Sequence, residues 1–257
     1  MKIQSVAATW ILATMIGSVS FSQNPPATQL AVRVLSSNGV KAVIEELQPQ
    51  AERAIGRPLS IEFSTAATLR QRIEGGEAFD VALLTKESVD DLVGRGKIAR
   101  ATRVGLARSG VGVGFRKGAP RPDVSTSSAM RQTLLRSESV AYTKDGASRT
   151  AIDAMLDRLG IAQDMQLKIL LESAGQAPLR VADGKAELVL TLISEILPVP
   201  GIELAGPLPK EFQSYIAFDA GLSASSKNTD AGKALIQFLT TPLAAQVFKA
   251  KGMETGK

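Results

Sequence analysis

The strongest constraint on the fold is a repeated alternation between short β-rich runs and stretches with the apolar spacing of an amphipathic helix. Residues 30–35 are typical of a strand, and the apolar residues between positions 40 and 54 then recur along one helix face. Gly56 and Pro58 end that helix before a second strand at residues 59–63. This alternation predicts an α/β fold with mostly parallel strands.

The alternation continues along the chain with one interruption. Gly110, Gly112 and Gly114 lie in an extended run that fits a strand crossing between two lobes, and Pro120 and Pro122 separate this run from a second α/β series. The other predicted strands cover residues 80–84, 140–143, 167–171, 188–193, 201–208 and 215–222. The other predicted helices cover residues 68–74, 86–93, 152–159, 231–239 and 242–249.

These segments divide the chain into two predicted lobes. Residues 107–112 and 215–221 each fit a crossing strand, which predicts a two-strand hinge. Lobe 1 is predicted from residues 23–108 together with 220–257, because the last two helices would return to it. Lobe 2 is predicted from residues 109–219. The expected fold class is therefore α/β, with mixed sheets flanked by helices in two lobes.

The N-terminus is typical of an export signal. Lys2 gives a positive start, residues 6–19 are apolar, and small residues at positions 18–22 offer a cleavage site. The apolar stretch is shorter than the about 20 residues that a membrane span needs. Residues 1–22 are therefore predicted to be a signal peptide cleaved near positions 20–22, and the mature protein to be periplasmic. A membrane anchor is the alternative.

The composition narrows the chemistry. The chain contains no cysteine and no histidine, which excludes thiol nucleophiles, Ser-His-Asp triads and zinc sites. The net charge is +5 with scattered basic residues, which favours attraction of small anions and argues against a nucleic-acid surface. We therefore expect no catalytic residues, no metal, no cofactor and no nucleic-acid partner. Enzymes that use only carboxylates, lysine or tyrosine stay open.

Polar strand-to-helix turns mark the candidate site. In an open α/β sheet, ligands bind outside the carboxyl ends of the strands, where helix N-termini offer free amides to an anion. Each turn has a simpler interpretation as a helix cap, and the arginine and glutamine below could equally lie at the surface or in a connecting turn. The candidate ligand-binding residues are Ser37, Asn38, Gly39, Thr65, Ala66, Ser148, Arg149 and Gln176.

A resemblance to a known family rests on residues 63–81, which read FSTAATLRQRIEGGEAFDV. This segment resembles the signature of periplasmic molybdate-binding proteins, in which a small-residue turn leads into a Leu-x-x-Gln-Ile-x-x-Gly helix and then an Asp-Val strand. The similarity extends from about residue 30 to residue 253 and includes PLAAQVFK at residues 242–249. It implies a type II periplasmic binding fold that holds a small anion between two lobes for an ABC importer.

The sequence departs from that family where oxyanion ligands are expected. Gly39 and Ala66 stand where the family supplies serine hydroxyls, and Leu192 stands in place of a tyrosine. The second-lobe helix begins with Ser148 and Arg149, and an arginine there could hold a carboxylate in bidentate geometry. These changes favour a di- or tricarboxylate over a molybdate-type oxyanion.

The resulting expectation is a non-catalytic periplasmic solute-binding component of an ABC importer. It would be a monomer that closes on a small organic anion and docks on a membrane permease, because a ligand that bridges both lobes favours the closed state. Two alternatives stay open: an anion sensor that signals to a membrane partner, and an enzyme that works through carboxylate chemistry.

Overall fold

The structure, a computed structural model, describes residues 31–256. Its strands are β1 (Val32–Ser37), β2 (Leu59–Ser64), β3 (Val81–Thr85), β4 (Val104–Arg116), β5 (Val140–Thr143), β6 (Ile169–Glu172), β7 (Leu188–Leu192), β8 (Ile202–Pro207) and β9 (Tyr215–Leu222). Its helices are α1 (Lys41–Ile55), α2 (Ala66–Glu74), α3 (Lys86–Gly94), α4 (Ser127–Arg136), α5 (Arg149–Arg158), α6 (Ala162–Met165), α7 (Ala177–Ala182), α8 (Ile193–Ile196), α9 (Thr229–Phe238) and α10 (Pro242–Ala250). Short 3-10 turns cover Asn38–Val40 and Arg100–Thr102.

The strands join into a mixed sheet in the order β2-β1-β3-β9-β4-β7-β5-β6, with β8 paired to β4. Strand β1 is parallel to β2 and β3, and β5 is parallel to β6 and β7. Strands β4 and β9 run antiparallel to their neighbours. The predicted α/β class with mixed sheets is confirmed.

Strand β4 passes from one half of the molecule to the other. Its first part, from Val104 to Gly110, pairs with β9, and its second part, from Val111 to Arg116, pairs with β7 and β8. We call β1, β2, β3 and β9 with their connecting helices the first half. The second half is β5 to β8 with their helices, and β4 is shared. The lobe boundaries at residues 108/109 and 219/220 stay a prediction.

The last two helices pack against α1 of the first half. Apolar residues spaced along them, Leu235, Leu239 and Phe248, are buried in the core. The sequence predicted the positions of these helices along the chain to within two residues, because their apolar spacing matches one buried face.

Several local features differ from the sequence reasoning, which did not predict α4, α6 or α8. The strand predicted at residues 167–171 begins at Ile169, because residues 166–168 form a turn that leaves Leu167 99% exposed. The first helix begins at Lys41, after a 3-10 turn. The predicted signal peptide, with its alternative as an anchor, lies outside the described residues. Between residues 31 and 256, no helix has both the length and the apolar character that crossing a bilayer requires.

The packing of α10 predicts a stability difference between two of its residues. Phe248 is 1% exposed and Leu243 is 43% exposed. Phe248→Ala should lower the free energy of unfolding by about 3–5 kcal/mol, because it removes a buried ring and leaves a cavity. The control Leu243→Ala should cost less than about 1 kcal/mol. Urea unfolding followed by circular dichroism measures both, and equal losses would contradict this packing.

Candidate functional site

A small closed cavity lies where strand ends and helix N-termini of the two halves meet. Its volume is about 20 Å³, which is room for one water molecule. The residues that line it come from both halves: Ser37, Asn38, Gly39, Thr65, Ala66, Thr143, Gly146, Ala147, Gly175, Leu192 and Glu195. The structure therefore brings together five of the eight candidate residues and shows the cleft in a closed form.

The first-half wall is built from two strand-to-helix turns. Ser37 ends β1, and its Oγ accepts a hydrogen bond from the amide of Gly39 at 3.4 Å. Thr65 follows β2, and its Oγ1 accepts from the amide of Thr68 at 3.2 Å to cap α2. The capping interpretation is confirmed for both residues. Capping uses each hydroxyl as an acceptor, so its hydrogen stays able to donate to another group.

Gly39 is required by a close approach between the halves. A Cβ atom at this position would lie 2.3 Å from the ring of Phe218 and 2.9 Å from Cδ1 of Leu192. The hydroxyl oxygen of Ser194 also donates to the carbonyl of Gly39 at 2.8 Å, in a fully buried contact across the cleft. A serine, with its larger side chain, does not fit here because Phe218 and Leu192 fill the space.

The second-half wall comes from the loop between β5 and α5. Gly146 and Ala147 of this loop line the cavity, whereas the neighbouring Ser148 is buried and does not line it. Ser148 makes no side-chain cap bond to α5. The loop therefore presents backbone and small side chains to the cavity.

Arg149 is held by its own half. Its Nε lies 2.5 Å from Oδ2 of Asp153, its Nη1 donates to the carbonyl of Lys144 at 3.1 Å, and its guanidinium stacks 5.2 Å from the ring centre of Tyr142. Tyr142 is buried and its hydroxyl donates to Asp153, so desolvation and the nearby carboxylate raise the tyrosine pKa to about 12. Arg149 does not line the cavity, and its role in ligand binding stays a prediction.

Gln176 also lies outside the cavity lining, at the start of α7. Its neighbour Gly175 lines the cavity instead. Gly175 has a φ of +74°, and a Cβ there would lie 3.3 Å from Nδ2 of Asn38. The loop that the sequence singled out therefore reaches the cleft, through a different residue.

Glu195 is the charged residue of the cavity lining, and it was not among the candidates from the sequence. It lies on α8, directly after β7, and the hydroxyl of Thr191 donates to its carboxyl group. Desolvation raises the pKa of Glu195, and the hydrogen bond from Thr191 offsets only part of this effect. The available signal was its place just past the carboxyl end of a buried strand. A carboxyl group with a raised pKa in a cavity is suited to proton transfer.

A second carboxyl group, Asp145, lies beside the cavity and was also missed. Its Oδ2 accepts hydrogen bonds from the hydroxyls of Thr65 at 3.0 Å and Thr68 at 3.1 Å, across the two halves. The site therefore includes two acids, where the sequence reasoning expected amides, short polar groups, Arg149 and Gln176. Within residues 31–256, no group of three or more acidic, histidine or cysteine side chains could hold a metal ion.

The family follows from a match over most of the chain. The model of the bacterial extracellular solute-binding protein family matches residues 32–254. The chain belongs to this family. It is 24% identical to the molybdate-binding protein ModA of Azotobacter vinelandii, over 86% of this chain and 88% of that protein.

A solved structure gives the same result for the fold. The periplasmic molybdate-binding protein of Azotobacter vinelandii matches with a TM-score of 0.77 and 18% identity, over 88% of this chain and all of that one. The resemblance to molybdate-binding proteins and the two-lobed type II periplasmic binding fold are confirmed. The family is described as bacterial extracellular solute-binding proteins.

One relative corrects the expectation that the protein is not an enzyme. The aconitate isomerase of a Pseudomonas species is 32% identical over 94% of both chains. The expectation of a non-catalytic protein, which rested on composition, is therefore wrong. The absence of histidine and cysteine excludes imidazole and thiol catalysis. It does not exclude acid–base catalysis by a carboxyl group such as that of Glu195.

The raised pKa of Glu195 predicts a pH-dependent stability. Its folded-state pKa exceeds its unfolded value, so its contribution to stability is full below the unfolded pKa and is lost as the pH rises through the folded one. Glu195→Gln should therefore become progressively more stable than the wild type as the pH rises through that window. Urea unfolding at several pH values measures this difference. A difference that stays constant, as expected for the exposed control Glu203→Gln, would contradict the assignment.

Proposed function

We propose that the protein binds a small polycarboxylate between its two halves and isomerises it by moving a proton through Glu195. The observation that carries this proposal is the position of Glu195, whose charged side chain lines the cavity between the halves, where desolvation raises its pKa. The relative named aconitate isomerase supports aconitate as the first substrate to test.

The site suits a ligand with several carboxylates. The turns at Ser37 and Thr65 and the loop before α5 bring helix N-termini from both halves to one cavity, and such termini favour anions. A molecule with carboxylates at both ends can bridge the halves. Because Gly39 and Ala66 lack hydroxyls, a compact oxyanion would lose two donors that the molybdate-type family supplies. The proposed binding residues in the cavity are Ser37, Asn38, Gly39, Thr65 and Ala66.

The halves must separate to admit such a ligand. A cavity of about 20 Å³ cannot hold a tricarboxylate. Opening about β4, the strand that the halves share, and its antiparallel partner β9 would give access, and closure would then desolvate the ligand beside Glu195.

The chemistry needs one carboxyl group. As a base, ionised Glu195 removes a proton from the carbon next to the substrate double bond, and the electron pair delocalises over the allylic system into an adjacent carboxylate. The protonated Glu195 then returns the proton at the other end of that system. The double bond thereby shifts by one carbon and takes the other geometry. This step also regenerates the carboxylate of Glu195. Helix N-termini near the cavity would stabilise the developing negative charge.

Turnover of aconitate tests this proposal. The purified protein, incubated with cis-aconitate in D₂O and followed by proton NMR, should form trans-aconitate. Glu195→Gln should lower kcat by at least about 100-fold, since it removes the acid–base group, with the substrate Kd changed less than about threefold. The control Glu203→Gln should retain wild-type kcat. No turnover by the wild type, or full activity of Glu195→Gln, would contradict the proposal.

Family membership favours a second function, delivery of the bound anion to an ABC permease from the periplasm. A protein that binds and releases a carboxylate could serve both roles. Calorimetric titration with molybdate, tungstate, sulfate, citrate and trans-aconitate distinguishes the ligand classes. Tight binding of molybdate without binding of carboxylates would support an oxyanion carrier and refute the polycarboxylate proposal.

A further inference from the structure

Asp145 joins the two halves at the edge of the cavity. It lies in the second-half loop between β5 and α5, and its Oδ2 accepts from two hydroxyls of the first half. Those hydroxyls belong to Thr65 and Thr68, 80 and 77 residues away along the chain. Asp145 is not among the residues that line the cavity, whereas Thr65 is. This contact therefore closes the cleft beside the ligand space rather than within it.

The partners make this contact specific to the closed form. Thr65 caps α2, so a carboxylate that accepts from its hydroxyl lies at the positive end of that helix. A ligand carboxylate would be stabilised at the same helix N-terminus, and here the carboxylate of Asp145 occupies it. Hydrogen bonds to a charged acceptor are stronger than those between neutral groups, and the two made by Asp145 exist only while the halves are together.

A second hydrogen bond also joins the two halves at the cavity. The hydroxyl of Ser194 donates to the carbonyl of Gly39, and the amide of Ser194 bonds to Oγ of Ser109 on the shared strand β4 at 3.2 Å. These groups are fully buried and lie next to the connecting strands. Asp145, by contrast, is partly exposed. Both contacts cross between the halves, and the one made by Asp145 is the more accessible to water.

We propose that Asp145 is a positioning residue, a latch that holds the halves closed by occupying the hydroxyls of Thr65 and Thr68. It sets the fraction of molecules in the closed form. Because the closed cavity of about 20 Å³ cannot admit the ligand, the latch lowers the apparent affinity by reducing the population of the open, binding-competent state. The affinity effect rests on the polycarboxylate proposal, while the closure effect does not.

The closure effect is measured by distances between spin labels. The chain has no cysteine, so Gln71→Cys on α2 and Asp157→Cys on α5, both at exposed positions, give a pair of unique labels across the cleft. Ligand-free wild-type protein should show a dominant short distance. Asp145→Ala should shift a large part of the population to longer distances, and Thr68→Val should shift it in the same direction.

Two comparisons make the result specific. The double variant Asp145→Ala/Thr68→Val should resemble Asp145→Ala alone, because both changes remove the same contact. Lys144→Ala, an exposed neighbour on the same loop, should leave the distances unchanged. An unchanged distance distribution in Asp145→Ala would overturn the latch.

The affinity effect uses trans-aconitate as the probe. Asp145→Ala should lower its Kd about tenfold, which corresponds to about 1.4 kcal/mol, and an unchanged or higher Kd would overturn the role in affinity. If wild-type protein does not bind trans-aconitate, the polycarboxylate proposal fails, and the ligand-free distances still decide the latch.

Discussion

The antiparallel pairing of β4 with β9 is the constraint on which the site depends. Strand β4 continues from this pairing into the second half, where it pairs with β7 and β8. The parallel strands of each half are thereby oriented so that their following turns meet at one cavity. Neither half alone supplies the site, because Ser37 and Thr65 come from one half and Gly146 and Glu195 from the other.

That meeting point explains how a binding fold can carry acid–base chemistry. Helix N-termini attract an anion, while closure removes water from around Glu195 and raises its pKa. The raised pKa costs stability at neutral pH, which is the pattern expected of a functional group rather than a structural one. In surface ion pairs, such as that of Arg72 with Glu62, the pKa of the carboxyl group shifts in the opposite direction, because the guanidinium lowers the pKa of Glu62.

Local patterns predicted most of the fold. Strand β9 was placed at its observed bounds and α10 to within one residue, because alternating and helical apolar spacings are local properties of the sequence. The caps at Ser37 and Thr65 were predictable for the same reason. Asp145 was not, since its partner Thr65 lies 80 residues away in the chain. Glu195 was marked only by its place after a buried strand, and its surroundings come from both halves.

A crystal structure of the protein with a non-reactive tricarboxylate, tricarballylate, tests the central claim most directly. The account predicts the anion between the halves, with its carboxylates at the N-termini of α1, α2 and α5 and the carboxyl group of Glu195 in contact with its carbon chain. A ligand bound elsewhere, or Glu195 facing away from a ligand in the cleft, would contradict the account.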